Sequence, residues 1–316
     1  MNTLSHEKMI RHAIMMPWIS SSVPHGVLDV IRGCNISCRG CYNSRPGAIK
    51  PLEQVRHELD GMLGLRRLHT VTISGGEPTL HPELPAIIRY ARTQNLRTVL
   101  LTNGVLFDGD LARRVKEAGL DLVLFHIQSG QTRSDLCEDP SFADLRALRE
   151  KKAELAARCG LEAGLSMIAY RRRLQEVDNT VDEVLHSPFF HFLLVTEYTD
   201  FSRFGNVTGD ISSGLKSDNA ATEIENGGHP DHVRQADILE LLRTMGLEPF
   251  GFVGSSANKH DPRWILYSVA AAMNPDGTTI VTGMVPGLFD RMAIHLARFL
   301  SGRHLFFYKS YRPAFG

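Results

Sequence analysis

The sequence predicts an α/β fold, a partial (β/α)6 TIM-like barrel with a C-terminal α/β extension, and three observations lead there. Short β-branched runs alternate with helically spaced apolar residues from about residue 26 to 198, the signature of βα units around a parallel sheet. Six such units suit an open barrel better than a closed eight-unit one, with the chemistry expected at the C-terminal strand ends. Over residues 199–229 the chain turns rich in Gly, Ser, Asn and Asp. That shift divides it into a barrel core, 1–198, and a loop plus extension, 199–316, that covers the barrel.

The expected strands are 26–32, 70–74, 97–102, 121–128, 162–169 and 190–197. Helical spacing shows in Leu52, Val55, Leu59 and Met62, in Leu84, Ile87, Ile88 and Ala91, in Leu145, Leu148 and Leu155, and in Leu174, Val177, Val181 and Val184. Six strands call for five intervening helices, and four of them show in this spacing. In the fourth strand Val123, Phe125 and Ile127 form an apolar set that packs under helices, which leaves His126 and Gln128 facing the lumen. His191 and Glu197 share a parity in the sixth. Beyond the loop the pattern predicts a helix near 231–245, a hairpin of 264–273 and 278–284 joined by Asn274-Pro275-Asp276-Gly277, and a last helix near 287–300.

A chain of 316 residues with 43% hydrophobic and 22% charged residues buries a sizeable core. Lysine plus arginine and aspartate plus glutamate balance at 35 each, so no net field draws the whole protein to nucleic acid or an anionic membrane. Five cysteines, three of them between 34 and 41 and with no secretory leader pattern, argue against a disulfide scaffold. They point to thiolate ligands in a reducing cytoplasm. No stretch approaches the ~20 apolar residues that cross a bilayer.

Cys34-Asn35-Ile36-Ser37-Cys38-Arg39-Gly40-Cys41 is a CxxxCxxC directly after the first strand. Three thiolates on a compact loop can hold three irons of a cubane cluster and leave the fourth open to a small molecule. The alternative is a zinc-binding, non-catalytic barrel scaffold, which would want a fourth protein ligand. Ser74-Gly75-Gly76-Glu77-Pro78 ends the second strand. Its glycines allow close backbone approach to a ligand, and Glu77 offers a carboxylate to an ammonium group.

Together these motifs closely resemble the radical S-adenosylmethionine (radical SAM) superfamily over about residues 26–198. The resemblance implies a 4Fe-4S cluster on Cys34, Cys38 and Cys41, whose open iron binds the amino and carboxylate groups of S-adenosylmethionine. Reductive cleavage then gives a 5'-deoxyadenosyl radical that takes hydrogen from a substrate. By motif, Gly75, Gly76, Glu77 and Pro78 would bind the methionine ammonium, and Thr102 and Asn103 would contact cofactor or substrate. Gln128 and Ser129 would contact ribose or carboxylate, and Ser166, with Met167, the adenine side. The family's usual aromatic before the third cysteine is Gly40 here, and Tyr42 follows instead. The implied electron donor is a flavodoxin or ferredoxin.

Other residues carry paired readings. His126 is a hydrogen-bonded core histidine or an active-site group, and Glu197 a solvated carboxylate or an acid-base group. Arg171, Arg172 and Arg173 are a solvated helix start or an anion site. Cys137 is a small buried hydrophobe or a hydrogen-atom donor that quenches a substrate radical; Cys159 is the poorer candidate. With no cysteine beyond Cys159, extra-cluster peptide maturases are disfavoured, as is bound cobalamin, because only about 25 residues precede the first strand. The substrate class left is a small molecule, natural product or lipid. The last helix gathers Leu288, Phe289, Met292, Leu296, Phe299 and Leu300 on one face, followed by Leu305, Phe306 and Phe307, with Arg298, Arg303 and Lys309 interspersed. That face is expected to pack on the barrel, with membrane contact the second reading.

Overall fold

The computed structural model describes residues 10, 12–16, 23, 25–39, 41, 43, 47–198, 230–254, 260, 262–273 and 279–301. Tyr42, the 199–229 loop, the 274–277 turn and the residues named beyond 301 lie outside the described residues, as does the side chain of Arg298.

In chain order the barrel half contains β1 (Ile14–Met15), β2 (His25–Ile31), β3 (Ser37–Cys38), α1 (Leu52–Leu65), β4 (Thr70–Gly75), α2 (Leu84–Thr93) and β5 (Arg97–Thr102). It continues with α3 (Gly109–Glu117), β6 (Leu122–Phe125), β7 (Gln131–Thr132), α4 (Phe142–Arg158), β8 (Glu162–Ala169), α5 (Leu174–His186) and β9 (Phe190–Glu197). Six strands form one sheet in the order β2-β4-β5-β6-β8-β9, every pairing parallel. Each βα unit adds at the same edge, which gives the partial barrel that the alternating pattern implied.

The two sheet faces separate by parity. Leu28, Val30, Val71, Ile73, Leu100, Val123, Phe125 and Leu165 pack under α1–α5 against Val55, Leu59, Ile87, Ile88, Val115, Leu145 and Ala156. On the opposite, lumenal face Val99, Leu122 and Leu124 cluster with Leu101, Phe192 and Leu194. α3 has only Leu111, Ala112 and Val115 as its apolar stripe, too little for a periodicity argument. It starts because Asp108 caps it, its carboxylate accepting from the Leu111 amide at 2.8 Å. A Ser141–Asp144 capping box starts α4.

β6 ends at Phe125, three residues before the expected 128. The Gln128 side chain takes over the ladder there, accepting from the Ile168 amide at 2.8 Å. Arg149 of α4, buried, donates to the Ile127 carbonyl at 2.8 Å and pairs with Glu183 of α5 at 2.8 Å, closing the same gap from the helix side.

The extension holds α6 (Gln235–Thr244), β10 (Gly251–Gly254), β11 (Pro262–Leu266), β12 (Val269–Met273), β13 (Thr279–Gly283) and α7 (Leu288–Ser301). β10 lies between β1 and β11, so residues 14–15 belong to the C-terminal sheet and not to the barrel sheet. The expected continuous strand 264–273 is broken at Tyr267-Ser268, because 262–266 pairs with β10 whereas 269–273 pairs with β13. Met167, Ala169, Val177 and Val181 meet Val233, Leu242 and Leu247, which seats α6 on the barrel.

The expectation that α7 packs its large apolar face on the barrel does not hold. Leu288, Phe289, Met292, Leu296, Phe299 and Leu300 are exposed. The face turned inward carries Ala293 and Ile294, and Ile294 packs with Ile14, Met16, Phe250 and Val253. Arg291 ties the helix to the His12 carbonyl at 2.8 Å.

Candidate active site

Three loops at the C-terminal strand ends converge on the cysteine segment. β3, which contains Cys38, pairs antiparallel with β7 (Ser37 with Thr132, Cys38 with Gln131), and the Arg39 amide donates to the Gly130 carbonyl at 3.0 Å. The Tyr170 hydroxyl donates to the Arg39 carbonyl at 2.8 Å. Behind the loop, Asn43 Nδ2 donates to the Arg32 carbonyl at 2.6 Å. The Gly76 amide bonds the Ile31 carbonyl at 2.7 Å and the Glu77 amide the Gly33 carbonyl at 2.8 Å, so the Ser74–Pro78 turn is welded to the backbone just ahead of Cys34. This contact is what the two glycines serve: a Cβ would fall 2.2 Å from the Ile31 oxygen at Gly75 and 2.2 Å from the Gly33 oxygen at Gly76.

Glu77 is 1% exposed. Its Oε1 accepts from the Thr79 amide at 3.1 Å and from the Thr79 and Thr102 hydroxyls at 2.6 Å each, and its Oε2 accepts from the Asn103 amide at 2.8 Å. Burial pushes its carboxyl up, against the pull of those donors. Pro78, also buried, begins the short helical turn that Glu77 caps. The carboxylate therefore clamps the Ser74–Pro78 turn to the Thr102-Asn103-Gly104 turn.

Every cysteine of the motif has an N–H donor on its sulfur. Asn103 Nδ2 lies 3.8 Å from Cys34 Sγ, and the Ile36 amide also donates to that sulfur. The Gln131 side chain donates to Cys38. The Asn43 amide donates to Cys41 Sγ at 3.4 Å. Burial, then the Cys41 and Cys34 charges, push the Cys38 thiol up to about 12, and burial raises Cys34 as well. Bound iron would reverse that shift, because a coordinating thiol gives up its proton. Cys34 and Cys41 are exposed and Cys38 half-buried.

The remaining candidates fall at separate places. His126 shares the lumenal parity of Leu122 and Leu124, and its Nδ1–H donates to the Ser166 carbonyl at 3.1 Å; burial pushes its pKa down to about 4. Ser129 sits between Arg173 and Glu176, donating its hydroxyl to the carboxylate and accepting from the guanidinium. Arg171 pairs with Asp237 at 2.8 Å and Arg172 with Asp231 at 3.6 Å, so these two arginines brace the extension. Glu197 is exposed at the end of β9, on the parity of Leu193 and Val195, which face the helices. Cys137 is exposed in the loop before α4, so its reading as a buried hydrophobe does not hold. Cys159 caps the C-terminus of α4 and packs against the core.

Residues 28–184 match the family model described as the radical SAM superfamily. The chain belongs to the radical SAM superfamily. It is 28% identical over 170 residues to the Fe-coproporphyrin III synthase of Methanosarcina barkeri, covering 50% of this chain and 40% of that protein. It is 27% identical over 169 residues to the PqqA peptide cyclase of Granulibacter bethesdensis, covering 50% of this chain and 43% of the relative. The match thus spans less than half the length of either. Among solved structures, Streptococcus suis SuiB bound to S-adenosylmethionine aligns with a TM-score of 0.43 at 17% identity, over 61% of this chain and 42% of that one. Radical SAM proteins use a 4Fe-4S cluster and S-adenosylmethionine.

The residues present fit that pair. Among the described residues no three His, Cys, Asp or Glu side chains converge on one point as a single metal ion requires. A cubane asks for something different, one thiolate per iron, and three thiols on one loop answer it. No helix of the described residues is long and apolar enough to cross a membrane.

Arg133, Gln131 and Asn43 are the functional neighbours that sequence reasoning missed. For Arg133 and Gln131 the only signal was a polar run, Gln128 to Arg133, at the end of an apolar strand, and for Asn43 there was none.

Proposed function

We propose that this radical SAM chain is an enzyme whose Cys34, Cys38 and Cys41 each ligate one iron of a 4Fe-4S cluster. When bound, cluster and S-adenosylmethionine together supply a 5'-deoxyadenosyl radical able to take hydrogen from a small-molecule, natural-product or lipid substrate. The supporting observation is the set of N–H donors aimed at all three sulfurs of a loop pinned among strand ends. Gly75, Gly76 and Pro78 wall the methionine ammonium, with Glu77 holding that wall from behind and Thr102 and Asn103 at its edge. Gln128, Ser129 and Ser166 take the ribose and adenine side. The exposed Cys34–Cys41 edge receives the electron from a flavodoxin or ferredoxin.

The test replaces Cys34, Cys38 and Cys41 together by alanine and measures iron and sulfide after anaerobic reconstitution. The wild type is expected to turn brown with about four irons per chain, whereas the triple variant and not Cys159→Ala stays colourless. Iron retained by the triple variant would place the cluster elsewhere. Cys137 is assigned as hydrogen-atom donor, its thiol giving up a weak S–H hydrogen to a substrate radical. In the same reconstituted system Cys137→Ala is expected to cleave S-adenosylmethionine but make no normal product, and normal product at the wild-type rate would remove Cys137 from the reaction.

A further inference from the structure

We propose that Arg133 is a positioning residue that raises the reduction potential of the cluster, by orienting the two side chains that donate hydrogen bonds to Cys34 and Cys38. This rests on those cysteines being the iron ligands. The Arg133 side chain is 1% exposed and every guanidinium nitrogen has a partner. Nε and Nη2 grip both oxygens of Asp135, at 2.6 and 3.0 Å. Nη1 donates to Gln131 Oε1 at 2.9 Å, and Nη2 also donates to the Asn103 carbonyl at 2.9 Å.

The bond to Gln131 decides which way that amide points. Gln131 Oε1 is held by Arg133 and by the Gln128 amide at 3.3 Å, so its NH2 is turned the other way, toward the His126 carbonyl at 3.1 Å and the Cys38 sulfur. An amide free to flip would present an oxygen lone pair to a thiolate, a repulsive contact. Arg133 similarly anchors the backbone of Asn103, whose NH2 is shared between Asn35 Oδ1 at 2.7 Å and Cys34 Sγ at 3.8 Å. One buried cation thereby sets two of the N–H···S contacts, and its own charge lies beside Cys38. Hydrogen bonds to cluster sulfurs and positive charge near the cluster both favour the more negative, reduced state and so raise its potential. A purely structural arginine would brace the loop and leave the potential alone.

The two roles separate in an EPR-monitored redox titration of anaerobically reconstituted protein without S-adenosylmethionine, with iron per chain measured alongside. Arg133→Met is expected to keep the iron and shift the midpoint negative. Arg133→Lys, which keeps the charge and loses the fork, should fall between it and the wild type. Asp135→Asn, which leaves the Arg133 charge less compensated, should shift it positive. Gln131→Leu should shift it negative with Arg133 in place, and it carries the test along with Asp135→Asn if Arg133→Met does not fold. Unchanged midpoints in variants with full iron, or shifts of one sign for Arg133→Met and Asp135→Asn, would overturn the proposal. A wild type that binds no iron would instead sink the ligand assignment itself.

Discussion

At the scale of single residues, the polar groups near the cysteines act by holding loops, and their chemistry follows from burial. Glu77 shows why motif reading needs geometry. Its type and position suggest a counter-charge for an ammonium, and three hydrogen-bond donors on Oε1 and one on Oε2 make it a clamp between two turns as well. Thr79 is two residues on, but nothing in the sequence joins Thr102 and Asn103 to Glu77, because they lie 25 and 26 positions away. His126 was readable as lumenal from strand parity, while its partner, a backbone carbonyl, was not. Its lowered pKa makes a prediction with a definite sign. A histidine at about 4 when folded and 6.5 when unfolded adds stability above pH 6.5 that is lost as pH falls toward 4. At pH 5 the loss approaches about 2 kcal/mol. His25, also pushed down to about 4 by burial, adds to the slope. Urea titrations at pH 7 and pH 5 should show a smaller pH effect in His126→Gln, which keeps a donor for the Ser166 carbonyl. An unchanged pH effect would mean that His126 takes up its proton as readily folded as unfolded.

Among elements, the strands and most helices were legible because apolar periodicity reports burial directly. Residues 97–102, 162–169 and 190–197 match the observed strands, being flanked by glycines or polar turns. Where the reading failed, local context was decided by a distant partner. β1 is a two-residue strand that exists only through β10, more than 230 residues on, and α3 is set by a cap and not by a stripe. The Ser74–Pro78 turn is a mixed case: two glycines announced a close approach, but the approaching group is the chain's own Ile31–Gly33 backbone. Gly76→Ala should therefore act through the cysteine loop. A Cβ 2.2 Å from a backbone oxygen has no flexible side chain to yield, so the loop must shift at no less than the ~1–3 kcal/mol typical of overpacking. Reconstituted Gly76→Ala is expected to hold less iron than the wild type. Gly61→Ala, on α1 with open space at its Cβ, should hold full iron and gain about 0.5–1 kcal/mol. Equal iron in the two variants would show that the turn does not position Cys34.

For the whole molecule, the question is how the extension communicates with the barrel mouth, and Asp231 is where they join. Its side chain is 5% exposed, 3.2 Å from Arg39 of the cysteine loop and 3.6 Å from Arg172 beyond β8, while its carbonyl accepts from the Arg171 amide at 3.1 Å. Two positive groups from separate barrel loops thus converge on one carboxylate at the head of the extension, just before Val233 enters the cluster beneath α5 and α6. Because both arginines are largely exposed, losing Asp231 strands no buried charge, and Asp231→Ala should cost only about 1–2 kcal/mol of stability. Its effect should be local. Hydrogen exchange is expected to speed up in residues 37–39 and in 231–247, with β4 and β5 unchanged, because those central strands are held by their own ladders. A rise in exchange spread evenly over β4 and β5 as well would show that Asp231 supports the fold as a whole and does not join the extension to the cysteine loop.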